Sequence, residues 1–245
     1  MLYAVISDIH SNLEALTASL NEIDRIKADK IVCLGDIVGY NPNPNECVEL
    51  MRERNIQCVM GNHDARVAGL EDASDFNLLA ARAIEWTQSV LTPENRDFLS
   101  ALPRSRFIDG RFLAVHGCVN DTDRYIFGAR EAEKNFDLLK ELKKPTRLCF
   151  FGHTHVHAAY MEEDGEAHLV EGDSVKLVKG KRYLLNPGAI GQPRDRDPRA
   201  SFAVYDHGAG EVSFHRVDYD IQRTAAKILE AGLPERLGER LKLGW

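Results

Sequence analysis

Residues 2–38 read LYAVISDIHSNLEALTASLNEIDRIKADKIVCLGDIV, and this stretch decides the fold. Leu2 to Ser7 is a short apolar run. After Asp8-Ile9-His10, apolar residues return at Leu13, Leu16, Leu20, Ile23 and Ile26, intervals of three and four that describe a helix with one buried face. Ile31 to Leu34 is apolar again, so the order is strand, helix, strand. Strands that are apolar throughout rather than alternating imply parallel pairing in a sheet covered on both faces. The unit continues outward, with a helix predicted over Pro44 to Glu53, proline in its first turn, and a third strand over Gln57 to Met60.

Further along, Phe76, Leu79, Ala80, Ala83 and Val90 share a helical face, and Thr92-Pro93 supplies a cap and first position for a second helix. Together they predict a helical insert at about 74–101. Strands are expected over Arg106 to Asp109 and Phe112 to Val115, turning at Gly110. A helix carrying Ala132, Phe136 and Leu139 leads to a strand over Leu148 to Phe151. The chain to Val217 reads as short, mostly antiparallel strands with turns at Asp164-Gly165 and His207-Gly208. Ile221, Ala225, Ile228 and Leu229 mark a last amphipathic helix, after which a charged end is expected to fray. No repeat or linker interrupts the chain, so a single domain is expected over 1–245.

Composition narrows the function. A chain of 245 residues, 44% hydrophobic, buries about 70–75% of its unfolded surface and needs no metal merely to stay folded. A bound metal would therefore serve chemistry. Thirty-one basic against 38 acidic residues give a net charge of -7, which argues against duplex DNA or an anionic membrane as partner. Only five apolar residues, Leu2 to Ile6, open the chain, without a basic leader, and no run approaches a membrane span, so a cytoplasmic protein is expected. The cysteines at 33, 47, 58, 118 and 149 lack paired spacing and read as reduced core thiols.

Five of the nine histidines sit beside Asp, Asn or Gly at strand ends: Asp8-Ile9-His10, Gly35-Asp36, Gly61-Asn62-His63-Asp64, His116-Gly117 and Gly152-His153-Thr154-His155. Loops at the carboxyl ends of parallel strands converge on one crevice, so these segments are expected to meet. They supply carboxylates, an amide oxygen and imidazoles, a mixed set that suits Mn, Fe, Zn, Co or Ni better than Ca or Mg. Any one block has an ordinary explanation as a turn or a surface histidine. Five in succession do not.

These blocks, in this order, resemble the signature of the calcineurin-like metallophosphoesterases, in particular the compact bacterial phosphodiesterases. The resemblance runs from Asp8 to His155 and more loosely to Asn186-Pro187-Gly188, with departures at Ser11 and Asn41, where glycine is common. It implies an α/β fold in four layers, a central β-sandwich of mixed sheets flanked by helices on both sides. It implies two divalent metals, manganese foremost: Asp8, His10 and His155 on the first, Asn62, His116 and His153 on the second, Asp36 bridging. The implied activity is hydrolysis of a phosphodiester, or a monoester, by in-line attack of metal-bound hydroxide on a small, possibly nucleotide-derived substrate. His63 would act on the leaving group or the phosphoryl charge, its ring oriented and held charged by Asp64. A protein Ser/Thr phosphatase and a non-catalytic metal-binding scaffold that binds protein partners are the alternatives.

Other candidates carry plainer readings. His157 is expected beside the site or in solvent; His168, His207 and His215 fall in turns or alternating strands, and Cys118 is read as packing. The loop Pro193 to Arg199 holds three arginines that could simply pair with Asp195 and Asp197. Arg194, nearest to Asn186-Pro187-Gly188, is the candidate phosphate clamp.

Overall fold

The computed structural model describes all 245 residues. In chain order the elements are β1 (Leu2–Ile6), α1 (Leu13–Ile26), β2 (Lys30–Cys33), α2 (Pro44–Glu53), β3 (Gln57–Cys58), α3 (Asn62–Val67), α4 (Leu78–Val90), α5 (Pro93–Ser100), β4 (Ser105–Ile108), β5 (Phe112–Val115), α6 (Ala129–Glu141) and β6 (Leu148–Phe150). Then follow β7 (His157–Glu163), β8 (Glu166–Leu169), β9 (Ser174–Lys176), β10 (Arg182–Pro187), β11 (Ala200–Asp206), β12 (Glu211–Val217), α7 (Ile221–Glu230) and α8 (Glu235–Leu243). No helix is long and apolar enough to cross a membrane.

Two mixed six-stranded sheets pack face to face, in the orders β3-β2-β1-β11-β12-β9 and β4-β5-β6-β10-β7-β8. The parallel sheet expected from the opening stretch exists as β1, β2 and β3, but β1 pairs on its other side with β11, antiparallel. In the second sheet β5, β6 and β10 are parallel and β4 and β7 antiparallel to them. Both faces of β1 are indeed buried, though by different layers. Tyr3 and Val5 point into the sandwich with Phe112, Phe150 and Tyr205, while Ala4 and Ile6 meet Leu16, Leu20 and Ile23 of α1. The Tyr3 ring lies edge-on to Phe112 at 5.4 Å, and its hydroxyl donates to Asp109 at 2.6 Å, so the polar tip is satisfied at the rim. On the second sheet's outer face, Ala132, Phe136 and Leu139 of α6 cover Val115, Cys149, Phe151 and Leu184. Helix, sheet, sheet, helix are the four layers.

Two expectations are corrected. β3 stops at Cys58 rather than Met60, because the Met60 amide turns away to donate to Pro103. The charged end does not fray: α8 buries Leu237 and Leu241 against Tyr40, Ala80 and Ile228, and Gly238 lets α7 approach so closely that a Cβ there would lie 3.1 Å from that of Ala225. Two leucines among charges are too weak a period to announce this helix, and the six residues of α3 are too few. The insert forms two helices as expected, with Thr92 accepting from the Asn95 amide as the cap of α5.

Candidate metal centre

The loops after β1, β2, β3, β5 and β6 meet at one end of the sandwich and are cross-tied by backbone bonds. Asp8 N donates to Gly35 O, His10 N to Asp36 O, Gly152 N to His116 O and Gly191 N to Asp8 O. Gly35 shows how tight the fit is: φ is +97° and a Cβ would lie 2.5 Å from the Gly61 nitrogen. Asp8, His10, Asp36, His153 and His155 all adopt positive φ, between 46° and 67°. Such backbone is uncommon outside glycine, and its clustering marks a site where geometry outranks local comfort. Ser11, φ 58°, shows why glycine is common at that position, and Asn41 uses its amide to hold His10 O.

The two carboxylates are arranged alike. Asp8 Oδ2 accepts from His153 N at 3.1 Å and Asp36 Oδ1 from His63 N at 2.9 Å. Their other oxygens, Asp8 Oδ1 and Asp36 Oδ2, are buried without a hydrogen-bond donor. The imidazoles complete the pattern. His10 Nδ1–H donates to Val38 O, His116 Nδ1–H to Leu34 O, His155 Nδ1–H to Gln192 O and His153 Nε2–H to Asp123 O, which assigns each tautomer. The remaining nitrogens turn inward as lone pairs. His10 Nε2 and His155 Nε2 are 3.1 Å apart, His116 Nε2 and His153 Nδ1 3.2 Å, and His116 Nε2 is 3.1 Å from Asn62 Oδ1. Acceptors facing acceptors at this range cannot bond to each other; a cation between them satisfies both. Asp36 Oδ2 lies 3.5 Å from His10 Nε2 and 3.3 Å from His116 Nε2, common to both groups, and Asp8 Oδ1 lies 3.3 Å from His155 Nε2. The donor atoms therefore fall into two clusters that share Asp36, which fits a pair of divalent metals.

Electrostatics agree. Burial pushes His10 down to about 4 and His153 to about 3, and holds His155 well below its ordinary range, so these rings are neutral and their inward lone pairs could hold a metal. His116 differs: burial opposes its charge, but Asp36 and Asp8 raise it to about 9. Burial raises Asp8 to about 6, His116 opposing and Asp36 adding to the rise.

His63 stands beside the clusters, its ring 4.7 Å from His10, 4.6 Å from Tyr40 and 4.8 Å from Phe76. The expected pairing with Asp64 is corrected. Asp64 Oδ1 accepts from Ile37 N and Val38 N and Oδ2 from Gly61 N, so this carboxylate folds the Asp36 loop onto the start of α3 and leaves nothing for the His63 ring. Burial, against the pull of Asp36, holds His63 well below its ordinary range. It is a neutral ring with an unpartnered Nδ1 rather than the expected cation.

Arg194 is the one arginine of its loop that faces the centre. Asp197 chelates Arg199, Asp195 pairs with Arg216 and His157, and Arg196 is exposed. His157 thus belongs to that surface network and Cys118 to the packing of Asn135, while His168 and His207 are exposed and His215 stacks on Phe202. Asn186 anchors the histidine loop by donating to Gly152 O and Thr154 Oγ1. Above the clusters lies a cleft of about 220 Å³ whose walls include Tyr40, Phe76, Asp75, Asp123, Tyr125 and Arg194. Sequence reading missed these walls except Arg194, although Phe76 belongs to the insert and Tyr40 to a Gly-Tyr pair just after Asp36. Another residue outside the motifs, Arg66, is 4% exposed and ties together Asn62 O, Asp123 and Asp75.

Paired Asp/His clusters at the loop end of a four-layer sandwich are the arrangement expected of a metallophosphoesterase. The chain belongs to the calcineurin-like phosphoesterase superfamily, whose domain matches residues 1–210. It is similar to a metallophosphoesterase from Sphaerobacter thermophilus, with a TM-score of 0.86 and 43% identity over 100% of both chains. An uncharacterised protein of Methanocaldococcus jannaschii is 43% identical over 99% of this chain and 98% of its own. A hypothetical protein from Pyrococcus horikoshii shares the fold, with a TM-score of 0.82 and 24% identity over 100% of this chain and 98% of its own.

Proposed function

We propose that this chain is a metal-dependent phosphodiesterase acting on small phosphoesters, nucleotide-derived ones included. The observation that supports the reading is the double cluster of inward lone pairs and donor-free carboxylate oxygens meeting at Asp36 Oδ2. In this reading Asp8, His10 and His155 hold one metal, Asn62, His116 and His153 the other, and Asp36 spans them, manganese being the first metal to test. When bound, such a pair polarises phosphoryl oxygens and makes water a nucleophile near neutral pH.

The chain's own groups supply the rest. Backbone carbonyls fix the four ligand rings, so little reorganisation is left for the reaction. His63, neutral and packed between Tyr40 and Phe76, is placed to donate a hydrogen bond to the phosphoryl group or leaving oxygen. Arg194, half-buried and without a carboxylate partner, is placed to bind a non-bridging oxygen through its fork. Preference for a diester rests on the resemblance to the compact bacterial phosphodiesterases, since the rim carboxylates Asp75 and Asp123 are both paired with Arg66.

The test is hydrolysis of bis(p-nitrophenyl) phosphate and p-nitrophenyl phosphate by protein loaded in turn with Mn²⁺, Co²⁺, Ni²⁺, Zn²⁺ and Fe²⁺, with metal content measured alongside. The expected result is two metals per chain and a higher kcat/KM for the diester. Silence on both esters with two metals bound would overturn the enzymatic reading, and a tenfold preference for the monoester would overturn the diesterase one.

A further inference from the structure

The loop between β5 and α6 holds two large aromatic rings in the open beside the candidate metal centre. Tyr125 is 41% and Phe127 64% exposed, while Ile126 between them is 2% exposed and belongs to the cluster of Leu113, Val115 and Phe136. Residues two apart thus share a side, as in an extended segment. Ile126 meets the loop's need for apolar burial, and the two rings are left in water. They are also aligned. Tyr125 stacks on His153, with centroids 4.0 Å apart and planes at 16°, and Phe127 stacks on Tyr125 at 4.9 Å and 17°. The run leads outward from the Asp/His clusters: His153 turns one nitrogen into them, Tyr125 is a wall of the cleft above them, and Phe127 is the open end.

The loop that presents these rings is fixed at several points. A Cβ at Gly117 would lie 2.6–2.8 Å from the carbonyl oxygens of Asp121, Thr122 and Arg124, so the chain doubles back directly over that glycine. Asn135 Oδ1 accepts from Val119 N at 2.9 Å, and Arg66 pairs with Asp123 at 2.9 Å. Helix α6 then begins at Ala129, two residues past Phe127. The rings are therefore in place before any ligand arrives, and binding on them needs little further ordering. A phosphate at the clusters sends its ester substituents out through the cleft, along the Tyr125 wall. A flat substituent that follows this wall meets Phe127 and continues the stack. Aromatic faces of this kind favour a planar ring over an aliphatic group and accept any nucleobase, because every base has a π-face.

We propose that Tyr125 and Phe127 form a stacking platform for a planar ring carried by the phosphoester, a nucleobase by chemical class, so that ring-bearing esters are selected over those with aliphatic substituents. This assigns the groups that recognise the substrate in the phosphodiesterase reading, and it rests on that reading for the position of the phosphate.

The test is equilibrium binding of AMP and ribose 5-phosphate to gel-filtered, Mn²⁺-loaded protein by calorimetry, independently of turnover. The two probes share a phosphate and a pentose and differ in the base. The expected result is that AMP binds about tenfold more tightly, near the lower end of what one stacked base contributes, and that Phe127→Ala cuts this ratio to below about threefold. Phe127→Trp keeps an aromatic face and is expected to preserve the ratio, and Phe127→Leu, which keeps apolar bulk alone, is expected to follow Phe127→Ala and serves if that variant does not fold. If Phe127 only buttressed Tyr125 against His153, its loss would weaken both probes alike and leave the ratio as it was. An unchanged ratio in the folded variants, equal affinity of the two probes for the wild type, or no detectable binding of AMP would overturn the platform. The two readings fail separately: no hydrolysis of bis(p-nitrophenyl) phosphate with the AMP preference intact removes the diesterase and keeps the platform, and hydrolysis without the preference does the reverse.

Discussion

Replacing Arg66 by Met is expected to empty one half of the metal centre and spare the other. Arg66 lies one turn after Asn62 on α3. Its Nη1 is 3.3 Å from Asn62 O, 2.9 Å from Asp123 Oδ1 and 3.1 Å from Glu71 Oε2, and its Nη2 is 3.0 Å from Asp75 Oδ2. Asp123 in turn holds His153 Nε2 at 3.0 Å through its carbonyl. One guanidinium thus positions Asn62 and His153, two of the three donors grouped around His116, and touches none of Asp8, His10 or His155. Methionine keeps much of the stem and removes the charge. The three carboxylates left behind have side chains 63, 39 and 27% exposed, so water takes them up, and the loss is that of partly exposed pairs, about 1–3 kcal/mol in all, rather than the 3–5 kcal/mol of a fully buried one. For a chain of this size that is a fall in Tm of roughly 3–10 °C. Loss of the group behind a ligand weakens metal binding by about 10- to 100-fold. Metal content after dialysis is therefore expected to fall from two per chain toward one, with Arg66→Lys intermediate. Equal loss from both halves, or full occupancy alongside a lowered Tm, would refute the argument.

Asp36→Asn is expected to abolish most turnover and lower the content of both metals, because its donor-free oxygen is the atom common to the two clusters; elemental analysis and a diester assay check this together. His63→Ala is expected to retain both metals while kcat falls by about 10²- to 10⁴-fold, and loss of a metal would instead make this ring a ligand. Asp195→Asn addresses stability against pH. Burial raises Asp195, but His157 and Arg216 prevail and hold it at about 2, below its ordinary 3.8. A carboxylate lowered on folding stabilises above its unfolded value, and the benefit is lost as pH falls through the folded one. The Tm gap between wild type and Asp195→Asn is accordingly expected to be full at pH 6 and to close between pH 3.8 and about 2; a gap unchanged at pH 2 would contradict it.

What could be read in advance was what neighbours in sequence decide. The face of α1, the proline-started α2, the cap at Thr92 and the limits of β5 follow from local period and capping, and all are found. The residues of the two clusters were legible because each sits at the end of an apolar run, where parallel strands deliver their loops to one crevice. What was hidden depends on partners distant in the chain. Nothing around Asp64 says that its oxygens go to Ile37, Val38 and Gly61 rather than to the ring beside it. Helix α8 is a weak signal until Tyr40 and Ile228 are there to receive its leucines. Antiparallel β11 beside β1 is likewise invisible, since an apolar strand fits either neighbour.

The left-handed backbone of the ligand loops joins the fold to the chemistry. Five of the cluster residues, Asp8, His10, Asp36, His153 and His155, take a conformation that costs on the order of 1 kcal/mol or more each, with Asp and His among the side chains that tolerate it best. Summed, the strain is comparable with the whole net stability of an ordinary domain, about 5–15 kcal/mol. It persists because each strained residue follows a strand buried on both faces, with Ile6 and Cys33 packed in one cluster and Phe150 in another. Backbone bonds such as His10 N to Asp36 O then tie one loop to the next, so relaxing any of them would break its neighbour's contacts. The cost of aiming lone pairs at a common point therefore falls at folding, carried by apolar burial far from the site. In the proposed reading, a metal pair would meet donors that the sandwich holds in position, so little of its binding energy would be spent on arranging them.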